Sequence, residues 1–341
     1  MDSTSRAGPG ARNLITDVPG LKVGQAHDAA ARTGVTVILP EARAVCGCDV
    51  RGGAPGTRET DALAPENLVD AVDAVVLSGG SVYGLAAADG AAAWLGARGR
   101  GYGLVAGVPP SPVIPAAILF DIANGGDKAW GEDPPYRALG RSAVAGAAAD
   151  FALGTAGAGY GAMAGALKGG LGSASVVSGD GMAVGALVAV NAWGSAVAPG
   201  GRSFWAAPYE IGGEFGGLGS AGLAAAPDDW GLAKGPADAR NTTIACVATD
   251  VALSPAQARR VAIMAQDGLA RALRPIHAPF DGDVVFALST ARQPMPAAAD
   301  YTVARLGALA ADCLARAVAR AVFEATAWPG VQVRCWRDLP K

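Results

Sequence analysis

The sequence predicts an α/β (α+β) fold, on three observations. Its C-terminal third reads strand, helix, strand, helix, and residues 74–98 read strand, glycine turn, helix. The composition is 51% hydrophobic and 17% charged, with 49 glycines and abundant alanine, which suits helices lying close on buried sheets. At 341 residues the chain can form one large domain or two ordinary ones.

The elements follow in order. VTVILP (35–40) and AVVLSGG (74–80) are apolar runs ending in turn residues, hence buried strands. YGLAAADGAAAWLGARG carries on from the second as a helix, and ALGRSAVAGAAADFA (138–152) is a helix of small residues. MAVGALVAVNAWGSAV (182–197) alternates well enough for strand, turn, strand, with Asn191 at the bend. Residues 198–240 are rich in Gly, Pro and Ala without periodicity, and so long a stretch is expected to be a functional loop or linker. TTIACVATD (242–250) is β-branched and apolar; Ser254 then caps a helix with Pro255 at its first position. DGDVVFALST (281–290) is a further strand, and 301–326 a long helix with apolar residues three and four apart.

A net charge of −3 and a pI near 5.5, without a basic cluster, argue against a nucleic-acid partner. No apolar run is long and charge-poor enough to predict a membrane partner, and the N-terminal residues lack the apolar core of a secretory signal. Five cysteines without a disulfide rhythm fit a cytoplasmic protein. Cys46-Gly47-Cys48 lacks the further ligands that a metal site needs, so neither metal nor cofactor is expected.

The segment Asn241-Thr242-Thr243 raises a chemical possibility. A threonine hydroxyl is a poor nucleophile without a base beside it. An N-terminal threonine carries its own base, an α-amino group with a reference pKa of about 7.7–8.0. Cleavage at 241/242, begun by attack of the Thr242 hydroxyl on the Asn241 carbonyl, would create one. The same residues also match a glycosylation sequon, idle without a secretory signal, or Thr242 is an ordinary strand residue.

RGGAPGTRETD (51–61), LSGGSVYGLAAADG (77–90), AGALKGGLGSAS (164–175), VNAWG (190–194), NTTI (241–244) and FDGDVVFAL (280–288) occur in this order. Together they resemble the DmpA-type aminopeptidases and nylon-oligomer (6-aminohexanoate oligomer) endohydrolases, self-processing N-terminal-nucleophile hydrolases. The likeness extends over about residues 14–341. It implies a four-layer αββα sandwich of DmpA/ornithine acetyltransferase-like type, a single domain cut into 1–241 (alpha chain) and 242–341 (beta chain). It also implies a homo-oligomer, a tetramer of processed heterodimers, acting on small amide or peptide substrates.

Carried onto matching positions, Thr242 is the nucleophile of both self-cleavage and hydrolysis. Asn191 donates its amide to the oxyanion, a contribution of about 3–4 kcal/mol. Asp281 and Asp283 are two apart and so face one way on an extended chain; one holds the new ammonium and polarises the Thr242 hydroxyl, and the other orients its partner. Lys168 lowers the pKa of amine or hydroxyl. In the β-aminopeptidase branch the two acidic positions are a serine and a glutamate, so Asp-Gly-Asp with Thr points toward the nylon-hydrolase-like branch. Phe120 stands where the family often has tyrosine, and with Ser81 and Tyr83 it is expected to line the pocket.

Residues 78–90 resemble a phosphate loop but lack its G-x-G-x-x-G or G-K-[ST] pattern, which favours packing and pocket lining. A rival hydrolase would use Ser81 with a later Asp and His277, but GGSVY puts Tyr83 where a nucleophile elbow needs glycine. A non-catalytic protein that keeps the fold is the other alternative.

Overall fold

The structure, a computed structural model, describes residues 7–235 and 241–340. Its elements in chain order are β1 (Leu21–Asp28), β2 (Thr33–Pro40), β3 (Val45–Val50), β4 (Thr57–Arg58), β5 (Val75–Ser78), α1 (Ala86–Gly96), β6 (Ala116–Ile118) and α2 (Tyr136–Ala145). There follow β7 (Met163–Ala164), β8 (Leu167–Lys168), β9 (Gly170–Val177), β10 (Ala183–Asn191), β11 (Thr242–Val251), α3 (Pro255–Ala272), β12 (Val284–Gln293) and α4 (Ala299–Phe323).

Two five-stranded sheets stack face to face. One has the order β1-β2-β5-β6-β4 and the other β3-β12-β11-β10-β9; β7 and β8 form a small separate hairpin. Strand parity explains the layers, because successive side chains point to opposite faces. In β11, Ile244, Cys246 and Ala248 enter the core between the sheets, where they meet Leu77 and Ala117 of the other sheet. Ala245 and Val247 face the opposite way, into the core under α3 and α4. On the outside of the first sheet, α1 and α2 close a third core around Val35, Val76, Ala87 and Tyr136. The chain is therefore a four-layer αββα sandwich, as the sequence implied.

The fully buried β11 sits in the middle of its sheet, antiparallel to β10 and parallel to β12. Such two-sided burial is why it reads as a continuous apolar run. The cap of α3 is as expected: Ser254 Oγ accepts from the Gln257 amide at 3.3 Å, and Pro255 begins the helix.

Several boundaries differ from expectation. Residues 182–197 hold one strand, not two: β10 runs through to Asn191, which ends it in register with Thr242, and the chain beyond is tied by Ser195 to Arg274. The 138–152 helix begins earlier and stops at Ala145, since Ala148 pairs with Val23 of β1. The strand expected from Asp281 starts only at Val284, which leaves both aspartates in the turn leading into it. Residues 198–235 lack strands and hold a single short 3-10 turn at Ala207–Tyr209; the rest of the expected loop, 236–240, lies outside the described residues.

Candidate active site

Parity and register together build the site. Asn191 is the last residue of β10 and Thr242 the first of β11; they are direct cross-strand partners. Both continue the rows that face the other sheet, since Leu187, Ala189 and Ile244 lie in the inter-sheet core. The two side chains thus meet at one end of the gap between the sheets. Both residues are buried, Asn191 at 2% and Thr242 at 4% exposure.

The Thr242 hydroxyl donates to the carbonyl oxygen of Asn241 in a short contact. Asn241 is itself buried and bridges to Asp281 in parallel fashion, which extends the β11–β12 pairing beyond the ends of the strands. Gly282 lies against the nucleophile candidate: a Cβ there would stand 2.9 Å from Thr242 Oγ1 and 2.8 Å from the Ala54 carbonyl oxygen. Only glycine lets the Asp-Gly-Asp turn come this close. The turn is backed by the 51–54 segment, whose Arg51 amide donates to the Asp283 carbonyl and whose Ala54 amide donates to that of Asp281.

Asn191 is fixed at both ends of its amide. Oδ1 accepts from the Met163 backbone at 2.9 Å, and Nδ2 donates to the Phe120 carbonyl at 3.0 Å, a bond across to the end of β6 in the other sheet. A cavity of about 370 Å³ opens beside it, lined among others by Phe120, Asp121, Asn124, Met163 and Lys234. Phe120 lies on the wall of this cavity.

The two aspartates differ. Asp283 accepts from the Thr243 amide at 2.7 Å, from the His277 amide at 3.1 Å and from His277 Nδ1 at 2.8 Å. With a carboxylate as its partner, Nδ1 is the donor of that contact. Asp281 accepts from the Ala278 amide at 3.0 Å through Oδ2, and its pKa is raised to about 6. Burial is the main cause, with the charge of Asp283 second; the Ala278 amide, Lys234 and the Trp193 amide act against them. Trp193 packs edge-on against Phe280 and Trp230, with ring centroids 5.2 and 5.3 Å apart.

Not every expected residue joins this cluster. Lys168 is wholly buried, and its ammonium donates to the carbonyls of Gly159, Ala162 and Gly169 and lies over the Trp328 ring. Desolvation lowers its pKa to about 7. It reaches the site indirectly, since its strand partner Met163 is the residue that holds Asn191 Oδ1. The cation beside Thr242 is instead Lys234, whose Nζ donates to Asn241 Oδ1 at 2.7 Å. Sequence reasoning missed it. The available signal was the only lysine in the Gly/Pro/Ala-rich stretch, shortly before Asn241.

Ser81 and Tyr83 are not on the cavity wall. Ser81 sits at φ +51° in the turn after β5, its amide held by the Leu119 carbonyl, and Tyr83 is about half exposed with its ring edge-on to Trp130. His277 is bound to Asp283, and among the described residues no hydrogen bond joins it to Ser81, as the rival serine triad would need. Cys46 and Cys246 are buried in the inter-sheet core as protonated thiols whose pKa values burial raises. Among the described residues no group of three or more His, Cys, Asp or Glu side chains is placed to hold a metal.

Comparison with known proteins agrees with this architecture. Residues 13–335 match the family model of peptidase family S58. The chain belongs to peptidase family S58. An S58 peptidase is a hydrolase of amide bonds, and this chain is one. It is 45% identical to an uncharacterized aminopeptidase of Mycobacterium tuberculosis, over 96% of this chain and 98% of that protein. A 6-aminohexanoate-oligomer endohydrolase of Kocuria sp. is 29% identical over 92% of this chain and 86% of its own. Among solved structures, the L-aminopeptidase D-Ala-esterase/amidase of Ochrobactrum anthropi, a variant of the Ntn-hydrolase fold, superposes with a TM-score of 0.68. The alignment covers 95% of this chain and 89% of that one at 23% identity, and it places this S58 chain in the same fold. No helix among the described residues is long and apolar enough to cross a membrane.

Proposed function

We propose that this S58 peptidase cuts itself between Asn241 and Thr242 and then hydrolyses amides through an acyl-enzyme on Thr242. In the first stage Thr242 Oγ1 attacks the Asn241 carbonyl carbon. The hydroxyl proton ends on the Thr242 nitrogen, the peptide C–N bond breaks, and Asn241 is left as an ester on Oγ1. Water then splits the ester, giving a carboxylate at Asn241, a free hydroxyl and an N-terminal amine at Thr242. That amine becomes the base for the second stage: it takes the Oγ1 proton as oxygen attacks a substrate carbonyl, and it supplies a proton to the departing amine. Asn191, fixed on the cavity wall, donates to the developing oxyanion. Asp281 receives the new ammonium, and Asp283 fixes the start of β11 through the Thr243 amide.

The observation that carries this reading is the buried junction at which the Thr242 hydroxyl already touches the Asn241 carbonyl, opposite Asn191 and against Gly282. Short peptides and amino-acid amides suit a cavity of about 370 Å³, at the small end of ligand pockets. The aminopeptidase name of the mycobacterial relative points the same way. Linear ω-amino-acid oligomers are a second substrate class, favoured by Asp-Gly-Asp beside Thr242 and by the Kocuria relative. Assembly of cut units into a homo-oligomer belongs to the same proposal.

Intact-mass measurement on freshly purified protein tests the first stage. Wild type is expected to give two chains divided at 241/242, and Thr242→Ala one full-length chain with no amidase activity. A Thr242→Ala protein still divided at that bond would end the assignment.

A further inference from the structure

The side chain of Asn241 is gripped by a cation. Lys234 Nζ donates to Asn241 Oδ1 at 2.7 Å and lies 3.5 Å from the Asn191 carbonyl oxygen. Lys234 is held in place by its backbone: its amide donates to the Trp193 carbonyl at 2.9 Å, and the neighbouring Leu232 carbonyl accepts from Ala166 at 2.7 Å. The lysine is thus strapped to the end of β10 and forms part of the cavity wall. Asn241 is 3% exposed, so this charge-assisted bond satisfies an oxygen that has little access to water.

Chemistry gives the contact a second meaning. The ester formed during self-cleavage has Asn241 as its acyl group on Thr242 Oγ1. An acyl-enzyme formed from substrate has the same linkage to the same oxygen. Whatever seats the Asn241 side chain during the first reaction is therefore positioned to seat an acyl side chain in the second.

We propose that Lys234 is a positioning residue for self-cleavage and, in the cut enzyme, a specificity-determining residue that favours acyl groups bearing a carboxylate or carboxamide oxygen on a short arm, as in aspartyl and asparaginyl amides. This rests on Thr242 as the nucleophile. A carboxylate is preferred to a carboxamide, because its bond to an ammonium is the stronger of the two.

Two measurements on the full chain test it. The first is a double-mutant cycle on the rate of self-cleavage, followed by mass, with Lys234→Met, Asn241→Ala and the pair. Each single change should slow cutting by about tenfold or more, because it removes the charge-assisted bond that positions the Asn241 side chain. The double variant should be no slower than the worse single, because the bond between the two residues is already lost in either one. The second compares kcat/KM for aspartyl and leucyl p-nitroanilides on fully cut protein. The aspartyl-to-leucyl ratio should fall by about tenfold in Lys234→Met and be largely kept in Lys234→Arg.

Additive penalties in the cycle, a Lys234→Met chain cut at the wild-type rate, or an unchanged substrate ratio overturns the role of Lys234 while leaving Thr242 untouched. If the Lys234→Met chain stays whole, the double variant decides: measurable cutting there supports the pairing, and none overturns it. Wild type that is never cut removes the Thr242 reading and this one with it.

Discussion

Asp281 and Asp283 sit on either side of one glycine. Asp283 accepts three hydrogen bonds and orders His277 and the start of β11, whereas Asp281 is wholly buried with its pKa raised to about 6. A carboxyl whose folded pKa lies above its unfolded value of about 3.9 stabilises the fold fully only below that value. The contribution is lost as pH rises through about 6, so at neutral pH the charged Asp281 works against folding. Asp281→Asn keeps an acceptor for the Ala278 amide and removes the charge. In the uncut Thr242→Ala background it is expected to stabilise the protein by about 1–3 kcal/mol near pH 8 and to match its parent near pH 4, and with Thr242 present it is expected to lose most amidase activity. Thermal unfolding at both pH values checks this; equal Tm values near pH 8 would show that the carboxylate is comfortably solvated. The residue scale is also where the sequence was least legible. Lys168 and Lys234 are both lysines among small residues, and no local pattern says that one ends on three carbonyls and the other on Asn241. That distinction comes from which strands meet. Thr242, Asn191, Asp281 and Asp283 were found as a set only because six short motifs occur in a familiar order.

At the scale of elements, strands with β-branched residues were readable and strands built of small residues were not. β2, β5, β11 and β12 announced themselves through Val, Ile and Thr. β9, GLGSASVV, did not, because its composition answers to the helix above it. A Cβ on Gly172 would lie 1.9 Å from the Ala317 carbonyl oxygen and 2.7 Å from the Ala321 nitrogen, both backbone atoms of α4. β3 hides for the same reason: a Cβ on Gly47 would lie 2.2 Å from the Arg259 backbone nitrogen of α3. Gly172→Ala must push α4 off its sheet or bend β9. A cost of about 1–3 kcal/mol or more is expected, read as a fall in Tm. Gly103→Ala, where a Cβ meets nothing within 4 Å, is the control and should leave Tm unchanged. A fall no larger than the control's would mean that the helix is not seated as described. Element ends were also misjudged where a long-range partner sets them, as Thr242 does for Asn191.

Across the whole molecule, the proposed cut divides the sequence but not the architecture. The second sheet runs β3-β12-β11-β10-β9, so both strands from beyond the junction lie between strands from before it. α3 packs on β3, and α4 packs on β9 and β10, so the helices cross the division as well. The two pieces therefore share cores that neither could complete alone. Cut protein is expected to elute as one species in gel filtration and to separate only in denaturant. Dissociation in native buffer would show that the interleaved strands do not hold the halves. The sandwich itself was legible from the order of motifs, while the residue pairs that cross it depend on register and were not.

The burial of Asn241 and Thr242 bears on timing. A bond sealed under the surface is out of reach of foreign proteases, and every group proposed to break it belongs to the same chain. Activation would then be first-order, keeping one half-life in a dilute tube and in a crowded cell, and starting its clock when folding ends.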